Sequence, residues 1–258
     1  MSQRDMPTIE DIIEKAVSGY NDSLSTAPQA RTRFCYPITM ERAYSLLMCA
    51  YKNAVEERVP TFQDDAETPR RMQSIANWLT NPARKPSLLL TGGLTGTGKT
   101  TAAKALKDMA RGLKESFDSN KIQAQMSREV GAYVPLSEDA KSRLSWCESR
   151  VIVPVMFTAN DIARMAEDQG GGYDGATRAP FLIIDDLGTE QRILKRYGNE
   201  ILPLTDLLLF RYEKMLPTVI TTNLSHSQIA EQYGPRISDR IKEMCETLVF
   251  TQTESYRR

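Results

Sequence analysis

Histidine is nearly missing from this sequence: His226 is the only one, and the four cysteines (Cys35, Cys49, Cys147, Cys245) form no CxxC pair. One imidazole and four scattered thiols exclude an ordinary zinc site and read as free cysteines of a reducing compartment. Neither sign of charge is in excess, since 33 basic and 33 acidic residues leave a formal net charge of +0. No global field therefore draws the chain to nucleic acid or to a lipid surface, and any nucleic-acid contact needs a local basic patch or one completed by assembly. Apolar runs are short, and none approaches the roughly 18 residues of a membrane span. Residues 1–20 scatter acids among few apolar residues and do not read as a signal peptide. These absences predict a soluble, cytoplasmic protein without a membrane partner. The remaining composition, 41% hydrophobic and 26% charged over 258 residues, suits one large core with or without a small appendage.

The apolar pattern divides the chain. Residues 8–18 predict a short amphipathic helix with Ile9, Ile12, Ile13 and Ala16 on one face, 21–37 a polar linker, 39–57 a longer helix, 61–69 a loop and 70–80 another helix. Beyond residue 80, short apolar runs alternate with helical stretches. The runs are SLLLTG (87–92), VIVPVMFT (151–158), FLIIDD (181–186), PTVITTN (217–223) and TLVFTQ (247–252). Helices are expected from Thr100 to about Phe117, from Asn160, near 199–214 and from 225. Continuous apolar strands separated by helices indicate an α/β fold, a parallel sheet sandwiched by helices. A small helical N-terminal region, 1–69, precedes the main domain, 70–258. The polar stretch 119–148 carries no clear period, and the glycines of DQGGGYDG (168–175) predict a mobile loop.

Gly93-Leu94-Thr95-Gly96-Thr97-Gly98-Lys99-Thr100 fits G-x-x-x-x-G-K-[ST] in full, followed by Thr101. The bare pattern arises by chance on the order of once per hundred chains of this length, and the preceding strand and following helix make chance rarer still. Gly93, Gly96 and Gly98 let the backbone curl so that N–H groups face a phosphate. Lys99 adds a point charge, expected to face solvent, and the Thr100 hydroxyl can ligate Mg²⁺. The helix from Thr100 directs its positive end at the same anion. The expected ligand is ATP with Mg²⁺.

The acidic strand end chooses among chemistries. Asp185, closing the buried run, is placed to hold Mg²⁺, partly through water, and Asp186 to orient or deprotonate an attacking water, which makes the reaction a hydrolysis. Asp186 could also merely cap the following turn. The next strand ends in Thr221-Thr222-Asn223, where the Asn223 amide can meet the water or the γ-phosphate. Arg236 and Arg240, four apart in GPRISDRIKEMC (234–245), share a helix face. Such a pair is either solvated or supplies an arginine finger to a neighbouring subunit.

Taken in order, GLTGTGKTTAAKAL, FLIIDDLGTE, PTVITTNLS, YGPRISDRIKEMC and ESYRR resemble the AAA+ ATPases of the DnaC/IstB type, helicase loaders and transposition helpers, over about residues 70–258. The resemblance implies a P-loop NTPase (AAA+) fold with Lys99 and Thr100 as Walker A, Asp185 and Asp186 as Walker B and Asn223 as sensor 1. It implies Arg240 as the finger with Arg236 its near neighbour, and Arg257 as a basic residue closing on the nucleotide. It also implies no full helical lid, the chain ending soon after its last strand. Walker B reads Asp-Asp where many AAA+ proteins have Asp-Glu, which fits slow hydrolysis. The first 70 residues carry no motif of the family.

The leading expectation is an ATPase that loads or remodels a replicative helicase on DNA, with residues 1–60 gripping the partner and ATP-bound subunits forming a homo-oligomer around single-stranded DNA. Arg192, Lys195 and Arg196 are candidates for a DNA-facing patch. A transposition helper acting with a transposase on duplex DNA is the near alternative. A P-loop kinase for a small metabolite and a protein using ATP as a structural clamp are alternatives of other classes.

Overall fold

Leu88 and Leu90 point into one hydrophobic cluster and Leu89 into a second. Ile183 and Val219 join the first, and Leu182, Ile184 and Ile220 the second. This period of two is what a sheet with helices on both faces requires. In this computed structural model residues 34–57, 67–92, 96–168, 171–191, 193–196 and 199–250 are described. The expected helix 8–18, most of the linker 21–37 and the C-terminal residues 251–258 lie outside them.

In chain order come α1 (Met40–Glu56), α2 (Glu67–Thr80), β1 (Ser87–Thr91), α3 (Lys99–Ser116), α4 (Ser119–Val130) and α5 (Glu138–Arg150). Then follow β2 (Val155–Thr158), α6 (Ala159–Glu167), α7 (Gly172–Arg178), β3 (Leu182–Leu187), β4 (Leu194–Arg196) and β5 (Asn199–Ile201). The chain continues with α8 (Pro203–Glu213), β6 (Thr218–Thr222), α9 (His226–Tyr233), α10 (Pro235–Met244) and β7 (Cys245–Val249). Five strands form one parallel sheet in the order β2-β3-β6-β1-β7, and β4 and β5 form a separate antiparallel hairpin. The expected α/β sandwich is the fold observed. Its order places β6 between β1 and β3, so the strand ending in Thr221 and Thr222 stands between the glycine-rich turn and the acids.

Helices α1, α2 and α3 cover one face through Ala43, Leu47, Tyr51, Met72, Ile75, Leu79, Ala102 and Leu106. The other face is covered through Ile162 on α6, Leu207 on α8, Ile229 on α9 and Ile241 on α10. Residues 34–38, read from sequence as the end of a linker, are structural. Tyr36 is fully buried, donates its hydroxyl to Ile152 O (2.8 Å) and its N–H to Leu79 O (3.0 Å). Phe34, meeting Tyr36 and Phe181 edge-on at 5.0 and 5.5 Å, makes this segment part of the core.

One stretch without a reading gains a structure, and three other expectations are corrected. Residues 119–148 form α4 and α5, started by Asp118 and Ser137 side chains that accept from Lys121 and Ala140 N–H groups. No α4 residue is fully buried; Ile122 and Met126, four apart, lean half-buried on the core, a stripe too thin to stand out among the polar residues around it. The glycine run continues into α7 instead of remaining a loop, because the Tyr173 hydroxyl donates to Pro203 O (2.7 Å) and Arg211 clamps the helix end. Strand β2 begins only at Val155, after Pro154, and the helix expected near 199–214 begins at Pro203, behind the β4–β5 hairpin.

Arg211 is completely buried. Its guanidinium donates to Thr177 O (3.1 Å), Ala179 O (2.8 Å), Pro217 O (2.7 Å) and Thr218 Oγ1 (2.8 Å). One cation thereby joins α7, α8 and the start of β6 through oxygens at the negative end of a helix. Arg211→Met leaves these buried acceptors without donors and is expected to lower unfolding free energy by about 3–5 kcal/mol. The urea midpoint should fall at unchanged slope. Arg211→Lys should recover only part of the loss, an ammonium lacking the planar fork.

Candidate functional site

The site is built where β1 gives way to α3. Gly96 and Gly98 have φ of 84° and 89°, in the left-handed region that glycine reaches without strain. A Cβ on Gly98 would also stand 2.7 Å from the Tyr51 hydroxyl of α1. No side chain caps α3, so its first N–H groups remain available to an anion. Thr97 is buried and Thr101 half-buried on the first turn of α3. Gly93, Leu94 and Thr95 lie outside the described residues, as does Arg257.

Lys99 departs from expectation. Rather than facing solvent it is buried (6% exposed), donating to Gly92 O and Thr97 Oγ1, each at 3.1 Å. A charge at this depth needs acceptors, and the loop's own oxygens provide them. Burial lowers the ammonium's proton affinity, while Asp186 and, less strongly, Asp185 raise it. Both carboxylates therefore lie within electrostatic reach of the lysine.

Asp185 and Asp186 are displayed by an irregularity in β3. Leu182, Ile183 and Ile184 pair with Thr218, Val219 and Ile220, but Leu187 pairs with Thr222, so the two acids oppose Thr221 alone. Such a bulge re-aims side chains. Asp186 adopts φ 56°, a conformation that Asp tolerates better than most residues. Thr221 stabilises the arrangement: its hydroxyl donates to Asp185 Oδ1 (2.6 Å) and accepts from Asp186 N–H (2.9 Å). The Thr100 hydroxyl donates to the same Asp185 oxygen (3.0 Å). Asp185 is buried and Asp186 half-buried.

These residues fit a magnesium nucleotide. Thr100 and Asp185 supply adjacent hard oxygens, suited to a Mg²⁺ that retains water and takes further ligands from phosphate. Among the described residues no group of three or more His, Cys, Asp or Glu could hold a metal. At the end of β6 the Asn223 Oδ1 is buried without a hydrogen-bond partner, an orphaned acceptor at the strand end between the glycine-rich turn and the acids.

The arginines of α10 are not part of this cluster. Arg240 stacks over the Tyr212 ring at 4.6 Å and donates to Tyr212 Oη (2.9 Å) and Glu243 Oε2 (2.8 Å). Arg236, on the first turn of α10, is exposed. Lys195 and Arg196 fall on β4 of the hairpin, and Arg192 is outside the described residues. Sequence reasoning missed two contributors. Thr221 was visible only as one of three polar residues ending an apolar strand, and Tyr51 looked like any apolar position of α1.

No protein-family model matches the sequence, and no curated protein does. Among solved structures the chain is similar to the DnaC helicase loader, with 20% identity, coverage of 78% of this chain and 98% of that one, and a TM-score of 0.47. It is similar to DnaI at 19% identity, covering 76% and 87% of the two chains with a TM-score of 0.43. Domain III of the Thermotoga maritima replication initiation protein DnaA gives 11%, 75%, 66% and 0.41 in the same order. At these identities the likeness is one of fold alone. Among the described residues no helix is long and apolar enough to cross a membrane.

Thr221→Val keeps the shape of the side chain and deletes the hydroxyl that holds both acids. Titration with nucleotide and Mg²⁺ should show affinity about tenfold weaker, the worth of one charge-assisted hydrogen bond, with binding in EDTA changed far less.

Proposed function

We propose that this protein binds ATP with Mg²⁺ and hydrolyses it slowly, as an AAA+ ATPase of the DnaC/IstB type that loads or remodels a replicative helicase on DNA. The observation that carries the catalytic part is the linkage of Thr100, Asp185, Thr221 and Asp186 by hydrogen bonds beside Lys99. In this reading the N–H groups opening α3 and the Lys99 ammonium bind the β- and γ-phosphates. Thr100 and Asp185 would hold Mg²⁺, whose chemistry when bound would be to offset negative charge on the phosphates. Asp186 accepts a proton from water as the water oxygen bonds to the γ-phosphorus and the bond to the β,γ-bridging oxygen breaks, leaving ADP and phosphate. Asn223 orients that water.

An arginine of α10 completes the site of a neighbouring subunit. Arg240 is our choice, since its stacking on Tyr212 and pairing with Glu243 hold it in a set orientation before any partner arrives. Its partners in its own chain lie outside the nucleotide site, which favours action in trans. The helicase and DNA are supported by the ordered motif set that resembles the loaders. The hairpin carrying Lys195 and Arg196, together with Arg192, would contribute to DNA binding, and the N-terminal residues would grip the helicase.

Lys99→Ala should remove most ATP affinity, read with a fluorescent nucleotide. Asp186→Asn should keep ATP bound while phosphate release falls at least about a hundredfold. Arg240→Ala should bind ATP normally and lose about a thousandfold in turnover. Mixing Arg240→Ala with Lys99→Ala subunits should restore part of the rate, because one binds ATP and the other lends the arginine. No recovery in the mixture would rule out the trans site, and wild-type turnover by Arg240→Ala would remove this arginine from it. Single-stranded DNA and a replicative helicase should each raise phosphate release by the wild-type chain; a rate indifferent to both would leave an ATPase without the loader role.

A further inference from the structure

Among the described residues Glu190 is the one buried carboxylate near the acids that the reading above does not use. It is 6% exposed, on the turn that follows β3. Its Oε2 accepts the Gly188 N–H at 2.9 Å, and its Oε1 accepts a short hydrogen bond from the Tyr233 hydroxyl. Neither donor carries a charge, and among the described residues Glu190 makes no ion pair, the usual reason to keep a carboxylate from water. The neighbouring residue of α9, Gln232, donates its amide to Gly188 O at 3.2 Å. Both backbone polar groups of Gly188 are thereby engaged, directly or through Glu190, by the last turn of α9.

The turn is equally tied in the other direction. Thr189 donates to Asp186 O from its N–H (3.3 Å) and from its hydroxyl (2.9 Å). Gly188 admits no side chain, since at φ 103° a Cβ would stand 2.5 Å from Leu224 Cδ1. Hydrogen bonds thus tie Thr189 to the backbone of Asp186, and Gly188, the residue before Thr189 in the chain, to Glu190 and Gln232, with Glu190 bonded in turn to Tyr233. One residue later, after Gly234, begins α10 with Arg236 and Arg240.

We infer that Glu190 and Tyr233 form a clasp that positions α10, so that the arginine a subunit offers its neighbour is set by the state of the acid turn in its own nucleotide site. This rests on the trans-acting arginine proposed above. Glu190 and Tyr233 are positioning residues: they touch no reacting atom, and their effect passes through the turn on one side and the α9–α10 unit on the other. A carboxylate suits the task because it can accept from Gly188 and Tyr233 at once, whereas an amide must present a donor to one of them.

Tyr233→Phe deletes one bond of the clasp, and Glu190→Gln, as a second variant, turns one acceptor into a donor. Each full-length variant should bind ATP with affinity within about twofold of wild type and lose about tenfold in phosphate release, the worth of one hydrogen bond. Subunit mixing then locates the defect. A clasp variant keeps its own ATP site but offers a misplaced arginine. Lys99→Ala subunits, which supply a sound arginine, should therefore raise its rate, and Arg240→Ala subunits, which need one from it, should be revived about tenfold less than they are by Lys99→Ala subunits. If Glu190 and Tyr233 only support the shape of their own site, the pattern reverses, with Arg240→Ala revived as well as by Lys99→Ala subunits and no gain by the clasp variant from Lys99→Ala. That reversal, or wild-type turnover by both clasp variants, overturns the inference. The mixture of Arg240→Ala with Lys99→Ala is the control: its failure rejects the trans arginine itself, whereas its success with the reversed pattern rejects the clasp alone.

Discussion

In an extended strand consecutive side chains leave opposite faces of the sheet, so two adjacent acids cannot both serve one phosphate. The acid pair of this protein meets that constraint with a bulge in β3, a left-handed Asp186 and the Thr221 hydroxyl facing both residues. Thr221 can do this because β6 lies between β1 and β3. The strand order is therefore a chemical requirement as well as a packing one: it brings a hydroxyl to the seam between the glycine-rich turn and the acids. Thr100 reaches the same Asp185 oxygen from the β1 side, so one carboxylate oxygen joins the start of α3 to the acidic strand.

Around this seam the molecule is tied on both sides. On one face Tyr51 of α1 presses its hydroxyl against Gly98, so the last glycine of the turn is shaped by a helix some fifty residues earlier as well as by its own conformational freedom. Segment 34–38 is fastened to α2 and to the residues before β2, which places the described N-terminal part in the same core as α3. On the other face Arg211 gathers α7, α8 and β6, and the Glu190 turn meets α9. A change at the acid turn thus has firm material to act through, in which packed elements shift as units rather than deform.

The layout of α/β elements was legible because its signals are local. Five apolar runs, a glycine-rich turn before Lys99-Thr100 and adjacent acids at a strand end need only backbone chemistry and burial to be read, and the sheet, α3 and β3 follow them. The failures have equally physical causes. Helix α4 fully buries no residue and shows only a thin stripe, Ile122 and Met126, and α7 arises from glycine-rich residues held by Tyr173 and Arg211, contacts made at long range. The hairpin before α8 merged with the helix because its strands are three residues each. Lys99 was expected in solvent because the motif describes its role toward phosphate and is silent about the loop oxygens that surround it.

By itself the sequence determined which residues could carry the chemistry: a lysine and threonine behind glycines, two consecutive acids and a polar strand end. Their types and spacing specify possible partners in binding and proton transfer, and such properties are local to a few residues. Tertiary structure alone decided that Thr221 holds both acids, that Tyr51 touches Gly98, that Arg240 is pinned away from its own site and that Glu190 is joined to Tyr233. Each of these is a contact between residues distant in the chain, created by strand order and by which helix covers which face. No pattern along a sequence encodes such a contact until the fold has closed the distance.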